Sequence, residues 1–419
     1  MTFASKLALA TVLTLGTALP AVPAAAQDAK AQAAPELKVS KEFREAAAAA
    51  DAALKAKDLT GADTQITAAE TLSKNDDEKY YSAWLRLQLE LERKNEAGQM
   101  KALGILATNP RTPVDRAKAY GSIYQYMVGA ALATQKKHAE AIPALLKARE
   151  LGSTQADLPI LLANSYSATG KSAEAIAEVD AAITASKAAG RKPPADWYKF
   201  VIPKVNAGGN RAAMAGWLTR FIQEYPTMQN WRWAIQVFRQ GTTGDAAKLE
   251  RIDLYRLMRS TNSLADRGDY SNYAFATQQA GLPWESVAVI EEGRKSGKVP
   301  TTDRDTQTTL TAAQTAVRTE GSLDTQAKQA AAAPNGKRAA STGDAFLASG
   351  NYARALELYD LSLTKGGVVA EEVNLHRGIA LLRLGRKDES RAAFASVQTG
   401  PYANIALLWQ ASIDFPPLA

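Results

Sequence analysis

The chain has 419 residues, 46% of them hydrophobic and 22% charged, which is ample for a packed core and excludes disorder over most of its length. It has no cysteine, so disulfides, thiol nucleophiles and thiolate metal sites are ruled out, and its two histidines leave little for a zinc site. A net charge of +7 spread over 50 basic and 43 acidic residues, with no long basic run, reads as a mixed solvated surface and not as a nucleic-acid interface.

Residues 1–26 open with Lys6, continue as an apolar run from Leu7 to Leu19, break at Pro20 and end in Ala24-Ala25-Ala26. This is the layout of a bacterial signal peptide cleaved before Gln27. The apolar run is too short to span a bilayer, and no other stretch reaches that length, so no integral span is expected in the mature chain. The expected location is therefore outside the cytoplasm: periplasmic in a Gram-negative cell, associated with the envelope, or secreted. Residues 27–40, rich in Ala, Gln and Lys, read as a flexible leader.

Past residue 40 apolar residues recur at helical spacing, and no stretch sustains the alternation of a strand. The acidic run Asn75-Asp76-Asp77-Glu78 fits a helix N-terminus, where carboxylates meet free N–H groups. A repeated form also emerges, in which an apolar helix carrying a small residue is followed by a short turn and a second helix with Ala and then a large apolar residue. Its clearest copy is Gly343, Phe346, Gly350, Tyr352, Ala355, Tyr359, followed 35 positions on by Gly378, Leu381, Gly385, Lys387, Ser390, Phe394. An adjacent pair upstream has Gly129, Leu132, Lys136, Ala141, Leu145 and then Ala163, Tyr166, Gly170, Ala175, Val179. The turns themselves are expected near Lys57, Lys94, Lys136, Gly170, Gly209, Gly244, Gly281, Gly321, Gly350 and Gly385, at intervals of 29 to 42 residues.

This spacing resembles the tetratricopeptide repeat family, in degenerate form: Gly343, Gly350, Ala355 and Tyr359 match its pattern, as do Ala163, Tyr166, Gly170 and Ala175, and Pro226 stands where the family favours proline. The early Trp of the pattern is mostly missing, with Ala339 and Asn374 in its place in the last two units. The resemblance implies an all-α, right-handed α-solenoid of about ten stacked helical hairpins with a concave face. The chain divides on this reading into a solenoid over 41–325, an Ala-rich hinge over 326–342 containing Pro334-Asn335-Gly336, and a C-terminal module over 343–419.

The familiar catalytic signatures are absent from the sequence. No H-E-x-x-H helix, G-x-S-x-G elbow or complete phosphate-binding loop occurs, and His138 and His376 read as surface or inter-helix residues. No enzyme, metal or cofactor is expected. Trp197, Trp217, Trp231, Trp233 and Trp284 crowd into one region, together with Tyr198, Phe200, Phe221, Tyr225 and Phe238. Such rings mostly fill gaps between degenerate repeats, and the alternative is a stacking platform for a sugar or peptide aided by Arg232 and Arg239. Trp231 and Trp233 stand two positions apart, about 200° around a helix, so one of them is expected to face outward.

The resemblance implies a non-enzymatic scaffold or adaptor of the bacterial cell envelope that binds a protein or peptide partner on its concave face, with Tyr124, Asn164, Tyr166, Trp231 and Arg232 as candidate contacts. The alternative is a glycan-binding component of envelope polysaccharide handling, using the aromatic block.

Overall fold

The computed structural model describes residues 37–240 and 246–418. The signal peptide expected over 1–26, most of the leader and the turn expected at Gly244 lie outside the described residues. The described chain is all-α. Its helices pair as TPR-like hairpins: α1 (Lys41–Lys55) with α2 (Leu59–Leu72), α3 (Asp76–Glu92) with α4 (Glu96–Thr108), α5 (Val114–Thr134) with α6 (His138–Glu150), α7 (Leu158–Ala168) with α8 (Ser172–Ala188), and α9 (Ala195–Ala207) with α10 (Arg211–Glu224). Next come the pairs α11 (Met228–Gln240) and α12 (Ala246–Ser260), α13 (Arg267–Gln279) and α14 (Pro283–Lys295), then α15 (Arg304–Thr319) and α16 (Leu323–Ala332), which pack chiefly on α14 and α17 respectively, and the pairs α17 (Lys337–Ala348) and α18 (Tyr352–Lys365), and α19 (Ala370–Arg383) and α20 (Lys387–Ala395). A last helix, α21 (Gly400–Asp414), closes the order. No helix among the described residues is long and apolar enough to cross a membrane.

The hairpin turns follow from local backbone chemistry. Lys57, Lys94, Lys136, Gly170, Gly209, Gly281, Gly321, Gly350 and Gly385 all have positive φ, the left-handed conformation that stops a helix and satisfies its last carbonyls. Starts are equally local: Asn75 accepts from the amide of Glu78, and Asn95, Asn210, Asp266, Asp303 and Asn351 cap their helices in the same way. The acidic run at Asn75 is thus the N-terminus of α3, as its composition predicts. Glu78 does more, since its carboxylate also accepts from the amides of Ser40 and Lys74, at 2.8 and 2.7 Å.

Packing between paired helices explains the small residues of the repeat. A Cβ at Gly129 would sit 2.6 Å from Leu145, one at Gly343 2.7 Å from the Tyr359 ring, and one at Gly378 2.5 Å from the Phe394 ring. In each pair the large side chain lies sixteen positions after the glycine and fills the space a methyl would take. That is the spacing of one residue on each helix of a hairpin facing its mate across the turn.

Two compact units emerge, divided at Tyr120 within α5. The first packs Phe43, Ala47, Ala50, Ala62, Ile66, Leu85 and Leu89 into one core. The second has a core continuous from Ala163 to Ile413. Helices α16 and α17 occupy all of 326–342 except 333–336, and buried residues from Ala339 to Ile413 share the second unit's core. The physical reason is α21, which packs on α10 and α12 rather than only on its sequence neighbours. Its following residues continue the contact. The Trp231 indole N–H donates to the Phe415 carbonyl at 3.2 Å, and the Leu418 amide donates to the Pro226 carbonyl at 2.6 Å.

Candidate binding groove

Helices α11, α12 and α13 of the second unit enclose a groove of about 1010 Å³. On α11, Trp231, Ala234, Ile235 and Phe238 recur at helical spacing and face the core, which turns Gln236, Arg239 and Gln240 to the groove. On α13 the buried stripe is Tyr270, Tyr273, Ala274 and Thr277. Asn272, Phe275 and Gln279 lie off that stripe, and Phe275 keeps 58% of its surface exposed, the largest exposure of any aromatic ring in the second unit. Helix α12 contributes Arg251 at the edge and Tyr255 at the floor.

The groove's polar lining is one-sided. Among the described residues it contains amides and two arginines, and no carboxylate. The Arg239 guanidinium lies over the Tyr255 ring at 4.4 Å, and its Nη1 is enclosed without a hydrogen-bond acceptor among the described residues. Tyr255 in turn stacks on Tyr273, with ring centroids 5.2 Å apart. Burial pushes the Tyr255 hydroxyl above its ordinary range, so the floor stays neutral and the groove keeps its positive balance.

Behind this floor lies a buried ionic network. The Tyr273 hydroxyl donates to Glu285, Arg256 donates to both oxygens of Glu285 at 3.0 and 2.7 Å, and a third Arg256 nitrogen donates to Asp253 at 3.0 Å. His376 stands between two aspartates, with Nε2 3.1 Å from Asp253 and Nδ1 2.7 Å from Asp344. Burial alone would lower the His376 pKa. The adjacent Asp253 and Asp344 carboxylates override it and hold the pKa well above the ordinary histidine value, so the imidazolium persists at neutral pH. Burial likewise opposes the ionised forms of Asp253 and Glu285, and their cationic partners pull both below the usual carboxylate range. His376 is thus an inter-helix residue, as its isolation in the sequence suggests, and it joins α19 to α12 and α17.

Of the five candidate contacts read from the sequence, none lines this groove. Trp231 is a correction: its ring is fully buried and its N–H is occupied by Phe415, so it holds the core and offers nothing to a partner. Trp233 does not face outward in its stead, because it is half-buried edge-on against Phe221 at 5.3 Å. Arg232 is committed within the chain, donating to Asp269 at 2.9 Å and Asp266 at 2.8 Å. Tyr124 on α5 and Tyr166 on α7 are half-buried, and Asn164 on α7 is exposed. Arg239, a companion residue in the sequence reading, is the one that reaches the groove. The aromatic block is mostly core, with Tyr198, Trp217, Phe221 and Phe238 all buried. Phe275 escaped notice in the sequence, although its place off the Tyr270–Tyr273–Ala274–Thr277 stripe was a usable signal.

No family model matches the chain, and no curated protein matches it. Among solved structures it is similar to Naa15/Naa10 bound to HypK-THB, at 14% identity over 87% of this chain and 60% of that one, with a TM-score of 0.31. It is also similar to a tetratricopeptide repeat protein from Parabacteroides merdae, at 14% identity over 80% and 99% of the two chains with a TM-score of 0.20, and to the pentatricopeptide repeat protein PPR10 from maize, at 16% identity over 88% and 62% with a TM-score of 0.28. The chain thus spans about three fifths of the first and third of these structures.

Proposed function

We propose that this protein is a non-enzymatic interaction scaffold that receives an extended, acidic segment of a partner protein in the groove between α11 and α13. The observation that carries the reading is the lining: an exposed phenyl ring for an apolar side chain, amides for a peptide backbone, and Arg239 and Arg251, with no carboxylate among the described lining residues, for an Asp or Glu. Energy would concentrate at Phe275 and Arg239, an exposed aromatic ring and a guanidinium, the kinds of anchor in which binding energy gathers. The signal-peptide layout of residues 1–26 supports an adaptor role in the bacterial cell envelope, with the mature chain beginning at Gln27 in the periplasm.

The test is a photocrosslinking amino acid placed at Phe275 of the full-length chain in its own cells. Capture of one predominant protein, abolished by Arg239→Gln with Arg251→Gln, supports the reading. Crosslinks that are absent, or unchanged in the double variant, overturn it. Mass analysis of the mature N-terminus tests the location: a start at Gln27 in the periplasmic fraction is expected, and an intact Met1 in the cytoplasm would sink the export reading.

A further inference from the structure

A second, separate cavity of about 560 Å³ lies in the same unit, with α12, α14 and α15 on one side and the α17–α18 turn and α19 on the other. Its apolar surface is supplied mainly by Trp284, Val317, Leu347 and Tyr352. This is the size and character of a site for a small molecule, larger than a packing defect and much smaller than a protein interface.

Its charges fall into two groups. Arg256 and Arg259 at the inner side are already engaged, Arg256 by Glu285 and Arg259 by Glu292 at 2.7 Å. Arg318 on α15 and Arg383 on α19 are different. Both are exposed, Arg318 donates only to Thr315 of its own helix at 3.0 Å, and among the described residues neither meets a carboxylate. The remaining acid of the lining, Glu291, is exposed. Two uncommitted guanidiniums, contributed by helices on opposite sides of an aromatic and aliphatic cavity, make a site that selects a negative head on an apolar body.

We propose that this cavity binds a small amphiphilic anion: a planar or branched apolar body carrying one carboxylate, sulfonate or phosphate, with the body against Trp284 and Tyr352 and the head toward Arg318 and Arg383. Because the two arginines stand on α15 and α19, an occupied site ties the two sides of the cavity together. This site is independent of the groove between α11 and α13.

Two probes that share an aryl body separate the head from the body. Anilinonaphthalene sulfonate carries the anion, and N-phenyl-1-naphthylamine lacks it. The full chain is expected to bind the sulfonate saturably at one site and at least about tenfold more tightly than the neutral amine, the effect of a charge-assisted contact. Arg318→Gln with Arg383→Gln should remove that advantage and leave the amine's affinity unchanged, while Arg318→Lys with Arg383→Lys should keep part of it. Far-UV circular dichroism confirms that these surface variants fold. Equal affinity of the wild type for both probes overturns the proposal, as does unchanged sulfonate binding in the glutamine variant. Loss of sulfonate binding in Arg239→Gln with Arg251→Gln, but not in the Arg318 and Arg383 variant, would place the anion in the groove and also overturn it.

Discussion

The charged cluster around Arg86 in the first unit and the one around Arg256 in the second use the same pairings in opposite surroundings. Arg86 donates to both oxygens of Glu70 at 2.9 and 2.8 Å and also meets Asp63, but those carboxylates remain 38% and 39% exposed. Arg256, Asp253, Glu285 and His376 are each exposed by 6% or less. Water therefore reaches the Glu70 and Asp63 carboxylates of the first cluster and almost none of the second. The pairs around Arg86 join α2 to α3, neighbours in sequence, whereas those around Arg256 hold helices together that are distant in sequence, His376 and Asp253 being 123 positions apart.

The largest effect should come from breaking the buried cluster. Asp253→Ala leaves Arg256 and His376 charged without their shared partner, and is expected to cost about 3–5 kcal/mol of stability in urea unfolding. Arg86→Gln, its counterpart in the first unit, should cost no more than about 1 kcal/mol. Equal losses would erase the distinction between the two clusters.

A packing contrast comes next. Gly378→Val drives a branched side chain into the Phe394 ring and is expected to cost about 1–3 kcal/mol. Gly216→Ala on α10, where a Cβ meets nothing within 4 Å, should instead raise stability by about 0.5–1 kcal/mol, because alanine suits a helix interior better than glycine. Thermal midpoints moving in the same direction for both variants would contradict the close approach at Gly378.

The buried cluster should also show in the pH dependence. His376 has a folded pKa raised above its unfolded value of about 6.5, so its contribution is complete below that value and is lost as pH climbs through the raised one. Asp253 and Glu285 have the opposite sign, contributing above the ordinary carboxylate range and losing that contribution as pH falls through their depressed values. The thermal midpoint of the wild type should therefore decline from neutral into alkaline pH, and His376→Gln should flatten that decline. An equal alkaline slope in both proteins would show that the imidazolium is not the source.

The smallest effect concerns turns. Lys57, Lys94 and Lys136 hold a left-handed conformation that costs an ordinary residue about 1–2 kcal/mol, part of which glycine returns. Lys136→Gly should raise the thermal midpoint slightly, and a fall would argue against a left-handed turn there.

The sequence made legible whatever rests on near neighbours. Turn positions could be read because a helix end needs a left-handed residue, and lysine or glycine recurs there at intervals close to a hairpin's length. The pairing of Gly343 with Tyr359 and of Gly378 with Phe394 could be read because both partners lie within one repeat. The return of α21 onto α10 and α12 was hidden, since no local pattern encodes a contact between Trp231 and Phe415. That contact also takes Trp231 out of reach of a partner: an indole on a helix cannot announce that a residue 184 positions away will cover it. For the same reason Arg232 looked available until Asp266 and Asp269 came beside it. Phe275 was within reach of periodicity, since it lies off the buried stripe of α13.

The return of α21 has a consequence for how the second unit folds. In an open repeat array each hairpin touches only its neighbours, so order can spread from any point and the ends can fray one repeat at a time. Here the apolar faces of α10 and α12 are completed by residues synthesised long after them, and closing so long a loop is entropically slow. During that interval the newly made α10–α12 region lacks the helix that covers it, the kind of transient apolar exposure that favours aggregation.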